Sequence, residues 1–213
     1  MKAFFLILIG LAFYSIINAQ NLYGLRVAYN RSNATAFSTG INRFQAGFFV
    51  QRNFTNKFYL KTNLLYNQKG NSYDDTYTIA DDGKKVITKI NYLETSIDAG
   101  CVIKLKAKQN ISIGMGPYLA YGIGGTEKGY NESLMGPILI DKKIDFVNGQ
   151  TKGGSSAEVK QIDAGINFNA AYQYKNYGLF FNYGLGLVSR ETYLNIKNKV
   201  FSVGLSYNLT LQY

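Results

Sequence analysis

Histidine and tryptophan are absent from the 213 residues, cysteine occurs once and proline twice. Without imidazole there is no Ser-His-Asp or Cys-His nucleophile system and no His-based zinc site. Outer-membrane hydrolases that rely on a His base are excluded on the same ground. One cysteine rules out an internal disulfide and a thiolate zinc cluster. No metal, no cofactor and no catalytic residue is expected. Charged residues are only 17% of the chain, yet aromatics reach 15%. So much apolar bulk with so little proline argues against disorder, because burial can offset the entropy of ordering.

Long apolar runs are missing too, except at the start. Met1-Lys2 is followed by an apolar run over 3–17 and then by Asn18-Ala19-Gln20. A positive start, an apolar middle and a small-residue exit describe a secretory signal peptide over 1–19, with cleavage after Ala19. The run falls short of the ~20 residues that a membrane-spanning helix needs. Residues 20–213 are then one domain. The formal net charge of +10 is spread along the chain instead of forming one basic run. Nothing has the form of a nucleic-acid module, so no nucleic-acid partner is expected. Anionic lipid headgroups suit such a surface better.

What the chain has in quantity is alternation. Val203, Leu205, Tyr207, Leu209, Leu211 and Tyr213 are apolar or aromatic, and Ser202, Gly204, Ser206, Asn208, Thr210 and Gln212 between them are small or polar. A strand sends alternate residues to opposite faces, so this segment has one apolar and one wet face. The same period of two begins near Tyr23, Phe44, Phe58, Leu93, Ile111, Ile162 and Leu179. About eight strands result, most of them long enough for a tilted membrane span. Pro117 falls inside one of them and is expected at a bulge, since it cannot donate to the ladder.

Connections over 52–57, 106–110 and 175–177 are short, whereas those over 31–42, 70–89, 124–159 and 189–198 are long. Short turns at one end and long loops at the other mark an outer-membrane barrel, with the long loops outside the cell. The 124–159 connection exceeds ordinary loop length and is expected to be functional or partly structured.

Alternation alone leaves two orientations open. A soluble lipocalin-like carrier would turn its apolar face inward and its outer face should be rich in Lys and Glu. Here the polar face is mainly Gly, Asn, Ser and Gln, which fits a narrow packed interior. Tyr23, Tyr29, Tyr66, Tyr121, Tyr174 and Tyr213 stand on the apolar face near strand ends, as an interfacial girdle would. The expected fold is all-β, an eight-stranded antiparallel up-and-down transmembrane β-barrel in the outer membrane. Its partners are then outer-membrane lipid and the barrel-assembly machinery. Tyr207, Leu209, Leu211 and Tyr213 serve as the C-terminal assembly signal.

Asn91-Tyr92-Leu93-Glu94, Gly116-Pro117-Tyr118-Leu119, Asp163-Ala164-Gly165-Ile166-Asn167-Phe168 and the closing stretch 201–213 resemble the PorT-like outer-membrane barrels, often labelled porin family, of Bacteroidetes-type envelopes. That family usually follows its Tyr-Leu-Glu with Ile-Pro, where this chain has Thr95-Ser96. The resemblance implies the barrel fold and the outer-membrane location. It also brings an envelope or secretion protein into view as a partner.

The candidate site is the interior charge set. Arg26, Lys61 and Lys104 lie on the polar faces of their strands, as do Glu94, Asp98 and Asp163. Charges in a confined interior must pair or be hydrated, so a salt-bridge network plugging the lumen is expected. Glu94 and Asp98 are four residues apart on one strand, about 13 Å, too far to share a proton in acid–base catalysis. Cys101 is on the apolar face and reads as an inert small hydrophobe. The stretch 122–129 lacks the Lys-Ser/Thr order of a phosphate loop and reads as a flexible exit from a strand. Asp81-Asp82-Gly83 reads as a turn tip, not a calcium loop. The six Asn-x-Ser/Thr matches, at Asn30, Asn33, Asn53, Asn110, Asn131 and Asn208, are chance in an Asn-rich bacterial chain. The expected role is non-enzymatic: envelope structure, or surface binding through the long loops. A narrow channel is the first alternative.

Overall fold

The structure, a computed structural model, describes residues 21–35, 39–55, 57–74, 85–106, 108–133, 136–144, 146–147, 150–151, 159–190 and 195–209. The expected signal peptide, the expected Asp81-Asp82-Gly83 turn tip and the last two members of the expected assembly signal, Leu211 and Tyr213, lie outside these residues.

The described chain is all strand and turn. The elements are β1 (Asn21–Ala34), β2 (Ile41–Asn53), β3 (Phe58–Asp74), β4 (Lys85–Lys106), β5 (Gln109–Ser133), β6 (Gly136–Ile144), β7 (Phe146–Val147), β8 (Gln150–Thr151), β9 (Ile162–Tyr174), β10 (Tyr177–Gly186) and β11 (Asn198–Asn208). Eight of them close into one antiparallel barrel in the order β4, β3, β2, β1, β11, β10, β9, β5, with β5 returning to pair with β4. Closure leaves no bare edge within the ring, so its backbone groups can be bonded without water. The first and last strands meet over eleven pairs, from Gly24↔Asn208 to Ala34↔Asn198.

The alternation sorts side chains as a transmembrane barrel requires. On β1, the even-numbered residues from Leu22 to Ala34 are buried and Leu25, Val27 and Tyr29 are exposed. Phe48, Ile113 and Leu205 on other strands are 62%, 57% and 62% exposed. A soluble protein rarely shows a continuous apolar wall of this kind, whereas lipid covers it without cost. The lipocalin-like orientation is therefore the wrong one: the apolar face is outside and the polar face is inside.

The strands run beyond the predicted ends in several places: β1 continues to Ala34, inside the expected 31–42 loop, and two extensions are longer. β3 and β4 stay paired up to Asp74↔Lys85, inside the expected 70–89 loop. β5 continues to Ser133 and then pairs with β6, from Gly125↔Ile144 to Ser133↔Gly136. The stretch 122–129 is thus strand and not a flexible exit. Gly124, at φ 148°, sits where the β4–β5 register shifts beside Asn91 and Tyr92, a left-handed geometry that favours glycine. Pro117 lies at no bulge: Ser96↔Tyr118 and Ala99↔Met115 keep one register on either side of it. Its missing N–H removes a bond without slipping the strand.

At the end carrying the short β2–β3, β4–β5 and β9–β10 turns, strands stop close to the barrel rim. At the other end β3, β4, β5 and β6 rise as a four-stranded sheet. In outer-membrane barrels short turns stand at the periplasmic end and long segments at the outer end, and the two ends are named accordingly.

Leu205 points outward on β11 and its neighbour Ser206 faces the lumen. Leu205→Arg is expected to lower the stability of the detergent-folded barrel by ~2–4 kcal/mol if it lies near the midplane and less toward an interface. The urea midpoint reads this, and an unchanged midpoint would contradict a lipid-facing position 205.

Candidate functional site

The lumen is filled in layers. The periplasmic half is largely aromatic. Tyr59 crosses the interior, and its hydroxyl donates to Asn169 Oδ1 at 3.2 Å. It can do so because Gly100 and Gly114 face it, and a Cβ on Gly100 would lie 2.6 Å from the Tyr59 hydroxyl. Lys61 Nζ lies 5.4 Å from the ring centre of Phe49 and 5.3 Å from that of Tyr59, within cation–π range.

The middle layer joins Arg26 to Asp98 through an amide. Arg26 Nη1 donates to Asn63 Oδ1 at 2.8 Å. Asn63 Nδ2 then donates to Asp98 Oδ2 and to Ser96 Oγ, each at 2.8 Å. The Arg26 guanidinium also stacks over Phe180, 3.9 Å from the ring centre. Placing an amide between the two charges leaves each with a hydrogen-bonding partner without direct contact.

The outer layer is centred on Lys69. Its Nζ lies 2.7 Å from Glu94 Oε2 and 2.8 Å from Asp163 Oδ2, with all three side chains almost fully buried. It also sits over the rings of Tyr118, at 4.2 Å, and Tyr92, at 5.3 Å. Asp163 Oδ2 accepts a bond from Asn198 Nδ2 at 3.0 Å, and the Tyr118 hydroxyl donates to Asp163 Oδ1 at 3.3 Å. Glu94 Oε2 accepts from Asn67 Nδ2 at 2.9 Å, and Asn67 in turn accepts from Asn30 at 2.8 Å. Lys69 on β3 thus reaches through the lumen to Asp163 on β9, past β4 and β5. A buried ammonium is tolerable only with such a full set of partners.

An apolar cap sits above this layer. Ile90, Tyr92, Tyr118 and Ala120 of the barrel wall pack with Ile144 and Val159 of the β5–β9 connection, and Phe146 leans on them. A Cβ at Gly122 would come within 2.5 Å of the Phe146 ring, so glycine is what lets the ring lie against the wall. Beside the cap, Arg190 Nη1 donates to Asn71 Oδ1 at 2.6 Å. The long connection foreseen as functional or partly structured therefore forms β6 and also lines the mouth of the lumen.

Five of the six predicted interior charges line the barrel: Arg26, Lys61, Glu94, Asp98 and Asp163. Lys104 is the correction. It is exposed at the periplasmic base of β4, where the register shifts between Lys104 and Lys106. The cation that meets the two outer carboxylates is Lys69, a residue outside the six candidates at the edge of the expected 70–89 loop. The signal was present, since Lys61, Asn63, Asn67 and Lys69 share one parity. Of the assembly signal, Tyr207 and Leu209 are exposed on the outer face, and β11 ends at Asn208.

Glu94 and Asp163 are both occupied by Lys69. Among the described residues no cluster of three or more His, Cys, Asp or Glu side chains is placed to hold a metal ion.

Lys69→Met leaves two carboxylates buried without their cation, and should cost about 3–5 kcal/mol. Adding Glu94→Gln and Asp163→Asn removes the stranded charges and should restore much of the loss. Urea midpoints of the three detergent-folded forms distinguish these outcomes. A midpoint indifferent to Lys69→Met would mean that water solvates the layer.

Several solved outer-membrane proteins are similar to this chain. Ail of Yersinia pestis, in complex with the heparin analogue sucrose octasulfate, is 11% identical, with 90% of this chain and 100% of that chain covered and a TM-score of 0.41. Neisserial surface protein A is 10% identical, with 89% and 97% covered and a TM-score of 0.45. The N-terminal barrel domain of Pseudomonas aeruginosa OprF is 11% identical, with 89% and 100% covered and a TM-score of 0.36. No curated protein matches the chain. Residues 17–189 match the family model described as the outer membrane protein beta-barrel domain, so the chain belongs to that family and resides in the outer membrane.

Proposed function

We propose that the protein is a plugged, non-enzymatic barrel that acts at the cell surface through its raised sheet, with the barrel itself serving as an envelope anchor. The observation that carries this reading is the contrast between the two ends of the lumen axis. The interior is crossed by the Lys69–Glu94–Asp163 layer and covered by the Ile144–Val159 cap. The strands β3 to β6 nevertheless continue well past the barrel. A pore gains nothing from such an extension, whereas a binding surface does.

The outer face of that sheet has binding character. Ile87, Tyr130 and Leu139 are exposed beside the solvent-facing Lys128–Asp141 pair, whose Nζ and Oδ2 are 3.0 Å apart. Exposed aromatic and aliphatic side chains rimmed by charge are the usual makings of a protein or ligand contact.

The PorT-like resemblance gains a physical reading from the same residues. The three internal motifs that carry it contain Tyr92, Glu94, Tyr118 and Asp163, the four side chains around Lys69. On this reading the motifs specify lumen packing, and the task of each relative lies in its surface loops. A secretion partner would then dock at the sheet and not pass through the barrel.

Two measurements test the proposal. In planar bilayers the folded protein should give no unitary conductance steps, and reproducible steps would establish the narrow channel instead. An epitope tag between β3 and β4 should be detected on intact cells, and a tag in the β9–β10 turn only after permeabilisation. The reverse pattern would remove the sheet from the surface.

A further inference from the structure

The periplasmic rim is positively charged throughout. Arg52 and Lys57 belong to the β2–β3 turn region, Lys104 and Lys108 to the β4–β5 turn region, and Lys175 to the β9–β10 turn. The chain has no acidic residue over 20–73, 99–126, 164–190 or 192–213, which include every segment reaching this rim. Among the described residues, Glu94, Asp98 and Asp163 lie in the lumen and Glu127 and Asp141 on the raised sheet.

The cations are neighbours in space as well as in level. Lys57 O accepts the backbone N–H of Val102 at 2.7 Å, which sets Lys57 against the base of β4. Lys175 N donates to Lys108 O at 2.9 Å, joining the next two turns. Lys175 Nζ rests 5.3 Å from the Tyr174 ring centre and the Arg52 guanidinium 5.5 Å from that of Phe54. Aromatic rings beside cations place this belt at headgroup depth.

A groove of about 420 Å³ opens on the outer wall in this belt, lined by Lys57, Phe58, Cys101, Val102, Ile103 and Lys104. Its lysines lie at the periplasmic level. Phe58 and Ile103, 54% and 52% exposed, continue the lipid-facing wall above them. We propose that this groove binds one anionic phospholipid of the inner leaflet, with its phosphate at Lys57 and Lys104 and an acyl chain along Phe58, Cys101 and Ile103. The apolar wall favours a lipid over a soluble polyanion, which would leave that wall uncovered. The missing carboxylates favour an anionic headgroup over a zwitterionic one, whose amine would find only like charge here. This inference concerns the end opposite the raised sheet and does not depend on what that sheet binds.

The test uses the full mature barrel, folded in detergent and stripped of lipid. It is offered phosphatidylglycerol or phosphatidylcholine with matched acyl chains, and retained lipid is counted by native mass spectrometry. Phosphatidylglycerol should be retained and phosphatidylcholine released. Each lysine at an anionic surface contributes about fivefold, so the double variant Lys57→Gln, Lys104→Gln should weaken retention by about twenty- to thirtyfold. Lys199→Gln, exposed at the far end of β11, should leave it unchanged. Inorganic phosphate at equal concentration should not displace the lipid. A second measurement needs no variant: in phosphatidylglycerol nanodiscs Lys57 and Lys104 should resist amine acetylation relative to phosphatidylcholine nanodiscs. Equal retention of the two lipids, an unaffected double variant, complete displacement by phosphate, or equal acetylation in both nanodiscs would overturn the site.

Discussion

A backbone crossing hydrocarbon finds no water for its N–H and C=O groups, and each group left unbonded costs several kcal/mol. That constraint governs the rest of the molecule. It requires β4 to meet β5 and β1 to meet β11, so that the sheet has no edge inside the bilayer. It also explains why the strands pair with so few interruptions, and why Pro117 is accommodated without a register shift. Once the ring is closed, the period of two assigns every side chain to lipid or to lumen.

Closing eight strands leaves an interior only wide enough for side chains. Opposite solutions fill its two halves. Toward the periplasm, rings such as Tyr59 and Phe180 cross the lumen above glycines and carry cations on their faces. Toward the outside, a lysine ties two carboxylates together and an apolar cap shields them. The formal charge of the three layers balances, with Arg26, Lys61 and Lys69 against Glu94, Asp98 and Asp163. The charges hold as a set, because removing Lys69 strands two carboxylates and removing Arg26 or Asp98 leaves the other end of the Asn63 bridge without its counter-charge.

The same chain manages its two surfaces differently. Outside the cell the strands extend and mix charge of both signs with exposed Tyr130 and Leu139. At the periplasmic rim the turns span two to four residues, and their only charged residues are cations. The barrel is thus asymmetric along its axis in length, in charge and in apolar exposure. Each asymmetry follows from which elements stop at the bilayer and which continue.

The local pattern was enough to determine the strand count, the faces and the location, because side-chain direction in a strand depends only on parity. Arg26, Asp98 and Asp163 were placed in the lumen by that rule alone. Parity cannot say where a strand ends, since pairing with a neighbour sustains a strand through sequence that looks like loop. Gly70 to Asp74 and the residues beyond Gly124 became strand because β4 and β6 lay beside them. Nor can parity say which interior charges meet. Lys69 and Asp163 are 94 positions apart and belong to strands separated in the ring by β4 and β5. Lys104 follows the inward parity of Asp98 and still ends exposed, because the β3–β4 pairing stops at Phe58↔Cys101 and Lys104 lies beyond it, at the open base of the barrel. Alternation set which side of the wall each residue takes; closure and register, which exist only once all eight strands are assembled, decided its height and its partner.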